Sequence, residues 1–102
     1  MTTIQDYINE IQEAINKDWE RNKFTFAPPP LIAVQTGKTY HKIVKNDIDF
    51  AGTIHGKSVH CFVDMAGNIY KASGWNAPAK GIRGSIHNEK KPLLGGQFYR
   101  CN

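Results

Sequence analysis

From Met65 to the last residue the sequence holds one acid, Glu89, against Lys71, Lys80, Arg83, Lys90, Lys91 and Arg100, a local charge of +5. That poverty of carboxylates leaves little for paired-acid chemistry, because Asp47 and Asp49 read as turn residues and the other acids fall mostly in the N-terminal segment. Long apolar runs are missing too. None approaches the ~20 residues that a membrane span requires, so no membrane association is expected. The opening stretch MTTIQDYINEIQ has acids where a signal peptide has cations and then an apolar block, which predicts an intracellular, cytoplasmic protein. Cysteine is scarce, with only Cys61 and Cys101. Two readings stay open for the pair, a single staple from the C-terminus to the sheet or two free thiols of the cytosolic kind. No internal repeat or low-complexity tract interrupts the chain.

What is present fits one globular unit. The 102 residues, 40% hydrophobic and 22% charged, have the size and composition of a single domain spanning 1–102. The overall charge of +4 is unevenly spread: residues 1–24 carry −2, with Asp6, Glu10, Glu13, Asp18 and Glu20 against Lys17, Arg21 and Lys23. The basic C-terminal part therefore has a positive field that attracts anions such as phosphates.

Hydrophobic periodicity predicts a helix from Ile4 to Asn22. Ile4, Tyr7, Ile8, Ile11, Ile15 and Trp19 recur at three- and four-residue steps, and Thr3 with Asp6 resembles a capping box. The stripe suits a sheet face, or the same helix of a second subunit, which would make a homodimer. Pro28-Pro29-Pro30 ends the helical part. LIAVQ and TYHKIVK then read as two strands around Thr36-Gly37, with Gly37 expected at positive φ. Asn46-Asp47 and Gly56-Lys57 read as further turns bracketing a short third strand through Ile48, Phe50 and Gly52-Thr53-Ile54. SVHCFVD has the two-residue period of a strand with bulky groups on both faces, placing it centrally, with His60 and Cys61 on opposite sides. Asp64-x-x-Gly67-Asn68 marks a hairpin leading into IYKAS. Asn76 is expected to cap a single helical turn over 77–80 that Gly81 ends, and Gln97–Cys101 to add an edge strand. The fold class that follows is α+β: one long N-terminal helix packed on an antiparallel sheet of four to five strands, with an irregular basic C-terminal segment.

Candidate chemistry is narrow. His41, His55, His60, His87 and Cys61 lack the spacings that put two ligands on one metal. No G-x-S-x-G nucleophile elbow occurs, and no cofactor motif, so neither an enzyme nor a cofactor is expected. Residues 74–85, GWNAPAKGIRGS, offer more. Gly74, Gly81 and Gly84 allow close approach of a ligand, while Lys80 and Arg83 supply charge, as phosphate sites require. Trp75, with Tyr70 and Phe98 as neighbours, presents a flat surface for a base, and the Asn76 amide can read an adenine-like edge. Neither GIRGS nor Gly56-Lys57-Ser58 has the spacing of a phosphate-binding P-loop.

The run VDMAGNIYKASGWNAPAKGIRGSI, residues 63–86, resembles a motif of small uncharacterised proteins of tailed phages and related mobile elements. The shared pattern is Val-Asp, a Gly turn, Ile-Tyr-Lys, then Trp-x-Ala-Pro-Ala-Lys-Gly-x-Arg-Gly. Those proteins have no established activity, so the resemblance implies a setting: a phage accessory role that includes interference with host defence. The expected function is a non-enzymatic binding module for a phosphate-bearing ligand, either single-stranded nucleic acid or a small or cyclic nucleotide signal. Lys71, Lys80 and Arg83 would meet phosphate, Tyr70 and Trp75 would stack, and Asn76 would make the selective hydrogen bond. A second expectation is an inhibitor of a host protein by direct contact, with Trp75, Tyr99 and Arg100 as anchors.

Overall fold

Thr3 and Asp6 close a reciprocal capping box. The Thr3 amide donates to Asp6 Oδ2 at 3.0 Å and the Asp6 amide donates to Thr3 Oγ1 at 3.1 Å. From this cap helix α1 runs over Ile4–Arg21 in a computed structural model of the chain, which describes residues 3–22 and 27–94. Tyr7, Ile8, Ile11 and Ile15 are buried along one stripe, each contributing about 1.5–3 kcal/mol of apolar burial. Trp19, further along the stripe, is half-buried and donates from Nε1 to the Ala27 carbonyl at 2.8 Å.

The sheet is an antiparallel meander of five strands, β1 (Leu31–Thr36), β2 (Tyr40–Ile48), β3 (Ile54–Asp64), β4 (Asn68–Tyr70) and β5 (Gly84–Ser85), adjacent in chain order. Its inner face meets α1: Ile43, Cys61, Val63 and Ile69 join the buried helix residues and Ile86 in one core, with Ile32 and Val34 at its margin. Gln12 ties α1 to the outer edge of β1. Its Nε2 donates to the Pro30 carbonyl at 2.9 Å and its Oε1 accepts the Ile32 amide at 2.8 Å. One otherwise open donor of an edge strand is thereby closed.

Several local expectations give way to the length of the central hairpin. Asn46-Asp47 and Gly56-Lys57 are not turns. β2 runs through the first and β3 through the second, pairing Asn46 with Lys57 and Asp47 with Gly56. The short third strand does not exist, because residues 49–53 form the turn, with Asp49 Oδ1 accepting the Ala51 and Thr53 amides, both at 2.9 Å. Positive φ falls at Gly52, Gly67 and Gly81, not at Gly37. β3 also has one residue more than β2 near its middle, since Ile43 faces Cys61 while Val44 faces Val59. This bulge interrupts strict alternation at His60. Its Nε2 reaches the Leu93 carbonyl at 2.7 Å, on the side where Leu93 and Cys61 join the core, so His60 and Cys61 do not point to opposite faces.

Beyond β4 the chain makes no helical turn over 77–80. Ala72 instead bridges Pro78, Ser73 and Gly74 donate to the Ala77 carbonyl at 3.0 and 3.2 Å, and Ala79 donates to Lys71 at 2.7 Å. The segment doubles back as an irregular hairpin and re-enters the sheet as β5, which no periodicity announces. The expected strand at Gln97–Cys101, together with Phe98, Tyr99, Arg100 and Cys101, lies outside the described residues. Cys61 is a free, fully buried thiol.

Candidate functional site

Among the described residues no helix lies on the face of the sheet turned away from α1. Alternation along β2 and β3 places Tyr40, Lys42 and Val44 there beside Val59, Phe62 and Asp64, and β4 adds Tyr70 opposite Phe62. Val44 and Phe62 are buried but stand apart from the α1 core. Tyr40 meets Phe62 and Tyr70 edge-on, with ring centroids at 6.0 and 5.7 Å and interplanar angles of 76° and 88°. Aromatic pairs prefer this geometry, which sets the rings as a fixed cluster.

Lys42 links that cluster to the 71–80 segment. Its ammonium stands 4.6 Å from the centre of the Trp75 ring and donates to Asn76 Oδ1 at 3.0 Å. Trp75 remains 43% exposed. An open groove of about 350 Å³ runs beside this contact, between the β1–β2 turn and the sheet, lined by Gln35, Lys38, Tyr40, Lys42, Phe62 and Asn76 among others. A second depression of about 310 Å³ lies against Trp75, lined by Ser58, Val59, Ala72, Ser73 and Gly74. Two cations, a polar amide, the exposed Trp75 ring and the half-buried Tyr40 ring thus meet at solvent-accessible ground.

The residues singled out in the sequence are only partly brought together. Trp75 and Asn76 share Lys42. Tyr70 is in the aromatic cluster through Tyr40, and its hydroxyl is already committed to Asp64. Lys71 is half-buried and its carbonyl receives the Ala79 amide. Lys80 is exposed near the end of the irregular hairpin. Arg83 is half-buried, with its Nε inside the fold and its amide donated to Ile69 at 2.6 Å, so this guanidinium is built into the fold more than it projects from it. The partners that sequence reasoning missed are Lys38, Tyr40, Lys42 and Phe62. For Tyr40, Lys42 and Phe62 the signal lay in the alternation of TYHKIVK and in the bulky outward residues of the central strand; Lys38, a turn residue, had no such signal.

The titratable groups nearby are structural in their chemistry. Asp64 Oδ1 accepts the Ala66 and Asn68 amides at 3.0 and 2.9 Å, and Oδ2 accepts Asn68 Nδ2 and the Tyr70 hydroxyl at 3.0 and 2.9 Å. Burial opposes its ionisation, but these bonds outweigh burial and hold the carboxyl below its ordinary value, leaving it acceptor-saturated. Burial pushes the Cys61 thiol up to about 12, against a weaker contact from Tyr7, so it is not a nucleophile at neutral pH. His60 is lowered by burial, and its bond to the Leu93 carbonyl requires a proton on Nε2. Among the described residues no group of three His, Cys, Asp or Glu is close enough to hold a metal, and no helix is long and apolar enough to cross a membrane.

The architecture is that of an α+β protein with one helix on an antiparallel sheet and, among the described residues, an aromatic and cationic opposite face that the segment after β4 partly covers. The chain belongs to a family of unknown function (DUF7717), whose model matches residues 1–94. No curated protein and no solved structure matches it.

Proposed function

We propose that the protein is a non-enzymatic binding module for a phosphate-bearing ligand, a nucleotide or single-stranded nucleic acid, held on the sheet face away from α1. The observation that carries this reading is the position of Lys42, against both Trp75 and Asn76 and at the edge of the groove that Lys38 also lines. A phosphate at that groove meets two ammonium groups, a base meets an exposed ring, and an amide is within reach of the base edge. Lys80 extends the positive field along the loop, whereas Arg83 and Lys71 support it from half-buried positions. The phage-like motif of residues 63–86 favours a cytoplasmic accessory role in which such a ligand, including a cyclic-nucleotide signal, is sequestered from host defence.

A second reading has its own observation. Phe50 is 73% exposed at the tip of the β2–β3 hairpin, with Ile54 also exposed beside it, as an anchor for a host protein partner would be. Two measurements decide between them. Nucleotide ligands should raise the melting temperature, and Lys42→Ala should remove that shift while the domain stays folded. Micromolar nucleotides and oligonucleotides that bind nothing would sink the first reading, and loss of a captured protein on Phe50→Ser would support the second.

A further inference from the structure

The two depressions on the face away from α1 flank the adjacent residues Trp75 and Asn76. Asn76 and Lys42 line the larger, Trp75 lines the smaller, and Lys42 bridges the two residues. Past the smaller depression, the alternation that puts Val59 on this face puts Lys57 there too, paired with Asn46 and exposed. Lys42 and Asn46 are four positions apart on β2, so Lys57 lies roughly 13 Å beyond Lys42 along the strand direction. Lys38, in the β1–β2 turn, stands at the opposite end. The cations are therefore strung along the face, with the half-buried Tyr40 ring and the exposed Trp75 ring between them. The acid that alternation assigns to this face of β1–β4, Asp64, is turned into the β3–β4 hairpin by four hydrogen bonds.

From this layout, and resting on the binding reading above, we infer that the occupant is a single-stranded polynucleotide several nucleotides long, running from Lys38 across Lys42 and Trp75 to Lys57. One nucleotide offers one base and a compact phosphate group, which fills one depression and leaves the far cation without a partner. A strand offers a phosphate at each step and a base for each ring. It matches a row of lysines spaced by aromatic side chains, as single-strand binders combine backbone charge with stacking. The polar groups of the larger groove, Gln35 and Asn76, are placed for base edges, and the lysines for the backbone.

The test is a length series. Affinities of the full chain are measured by calorimetry for thymidine monophosphate and for oligothymidylates and oligouridylates of three, six and twelve nucleotides. A six-nucleotide strand of at least one sugar type should bind about tenfold or more tighter than the monophosphate, the effect of further stacked bases. Lys57→Ala should weaken the six-nucleotide strand by about threefold or more and flatten its salt dependence by about one phosphate contact, leaving the monophosphate unchanged. Monophosphate binding as tight as that of every oligonucleotide overturns the inference while the nucleotide site stands. Equal weakening of monophosphate and strand by Lys57→Ala overturns it as well. Absence of binding at every length overturns both this inference and the reading beneath it.

Discussion

The Tyr70 hydroxyl donates to Asp64 Oδ2 at 2.9 Å, across the turn that joins β3 to β4. The same carboxylate holds the turn itself through the Ala66 and Asn68 amides, so one side chain fixes both the hairpin and the outermost ring of the aromatic cluster. Asp64→Ala should cost about 1–3 kcal/mol, since backbone donors lose their acceptor, and denaturant unfolding measures it. The pH dependence has a definite sign. The folded carboxyl lies below its ordinary value of 3.8, so its contribution is present above that pH and is lost as pH falls through the folded value. The phenol is raised above its ordinary 10.0, first by its bond to Asp64, so its contribution is present below that pH and is lost as pH rises through the folded value. Asp64→Ala should remove the acid-side dependence and reduce the alkaline one, since burial and Tyr40 also raise the phenol.

Gly67 and Gly81 both have positive φ, 92° and 96°, yet alanine should affect them differently. A Cβ on Gly67 would come within 2.7 Å of His87 Nε2 and 3.0 Å of Ile86 Cγ1, whereas at Gly81 it meets nothing within 4 Å. Gly81→Ala should cost only the left-handed backbone penalty of about 1–2 kcal/mol. Gly67→Ala adds displacement of the segment that returns through the Ile86 amide to the Gly67 carbonyl at 2.9 Å. Its melting temperature should fall further than that of Gly81→Ala by scanning calorimetry, and Gly67→Ala with His87→Ala should recover part of the difference.

Lys91 has a side chain only 6% exposed and serves as a clamp between the C-terminal segment and α1. Its ammonium pairs with Glu10 at 3.1 Å and donates to the Ile86 and Asn88 carbonyls at 3.3 and 3.0 Å. Lys91→Ala should destabilise by about 1–3 kcal/mol, because the Ile86 and Asn88 carbonyls lose their donor while Glu10, 42% exposed, is partly rehydrated. A double-mutant cycle with Glu10→Gln isolates the ion pair, and coupling near zero would refute the clamp.

How much of this was legible depended on whether the signal was local. The helix could be read because its stripe and its cap are both short-range, and the Asp64 turn because the carboxylate reaches only as far as Tyr70. The hairpin could not. Asn46-Asp47 and Gly56-Lys57 carry turn residues, but pairing across β2 and β3 overrode that local preference. The same long-range pairing hid the site. Lys42 and Asn76 are 34 positions apart and meet only because the segment after β4 folds back over the sheet. Lys80 and Arg83 read alike in the sequence as the charge of one loop, and nothing in their spacing tells that Arg83 turns inward with its Nε buried.

Lys42 allows the structural and binding roles of the site to be separated. Lys42→Gln keeps a donor for Asn76 Oδ1 and removes the charge, while Lys42→Ala removes both. If Lys42 meets phosphate, the Gln variant should lose anion affinity with a salt slope lower by about one, and its unfolding free energy should stay within about 0.5 kcal/mol of the parent's. If the residue serves only to pin the loop, Gln should bind like the parent and Ala should loosen Trp75, seen as faster depolarisation of its fluorescence. Trp75→Ala completes the comparison. Being partly exposed, it should leave the fold intact and remove about 1–3 kcal/mol of binding for the base it stacks. Unchanged affinity in Trp75→Ala would remove the ring from the site and leave the groove beside Lys38 to bind by charge alone.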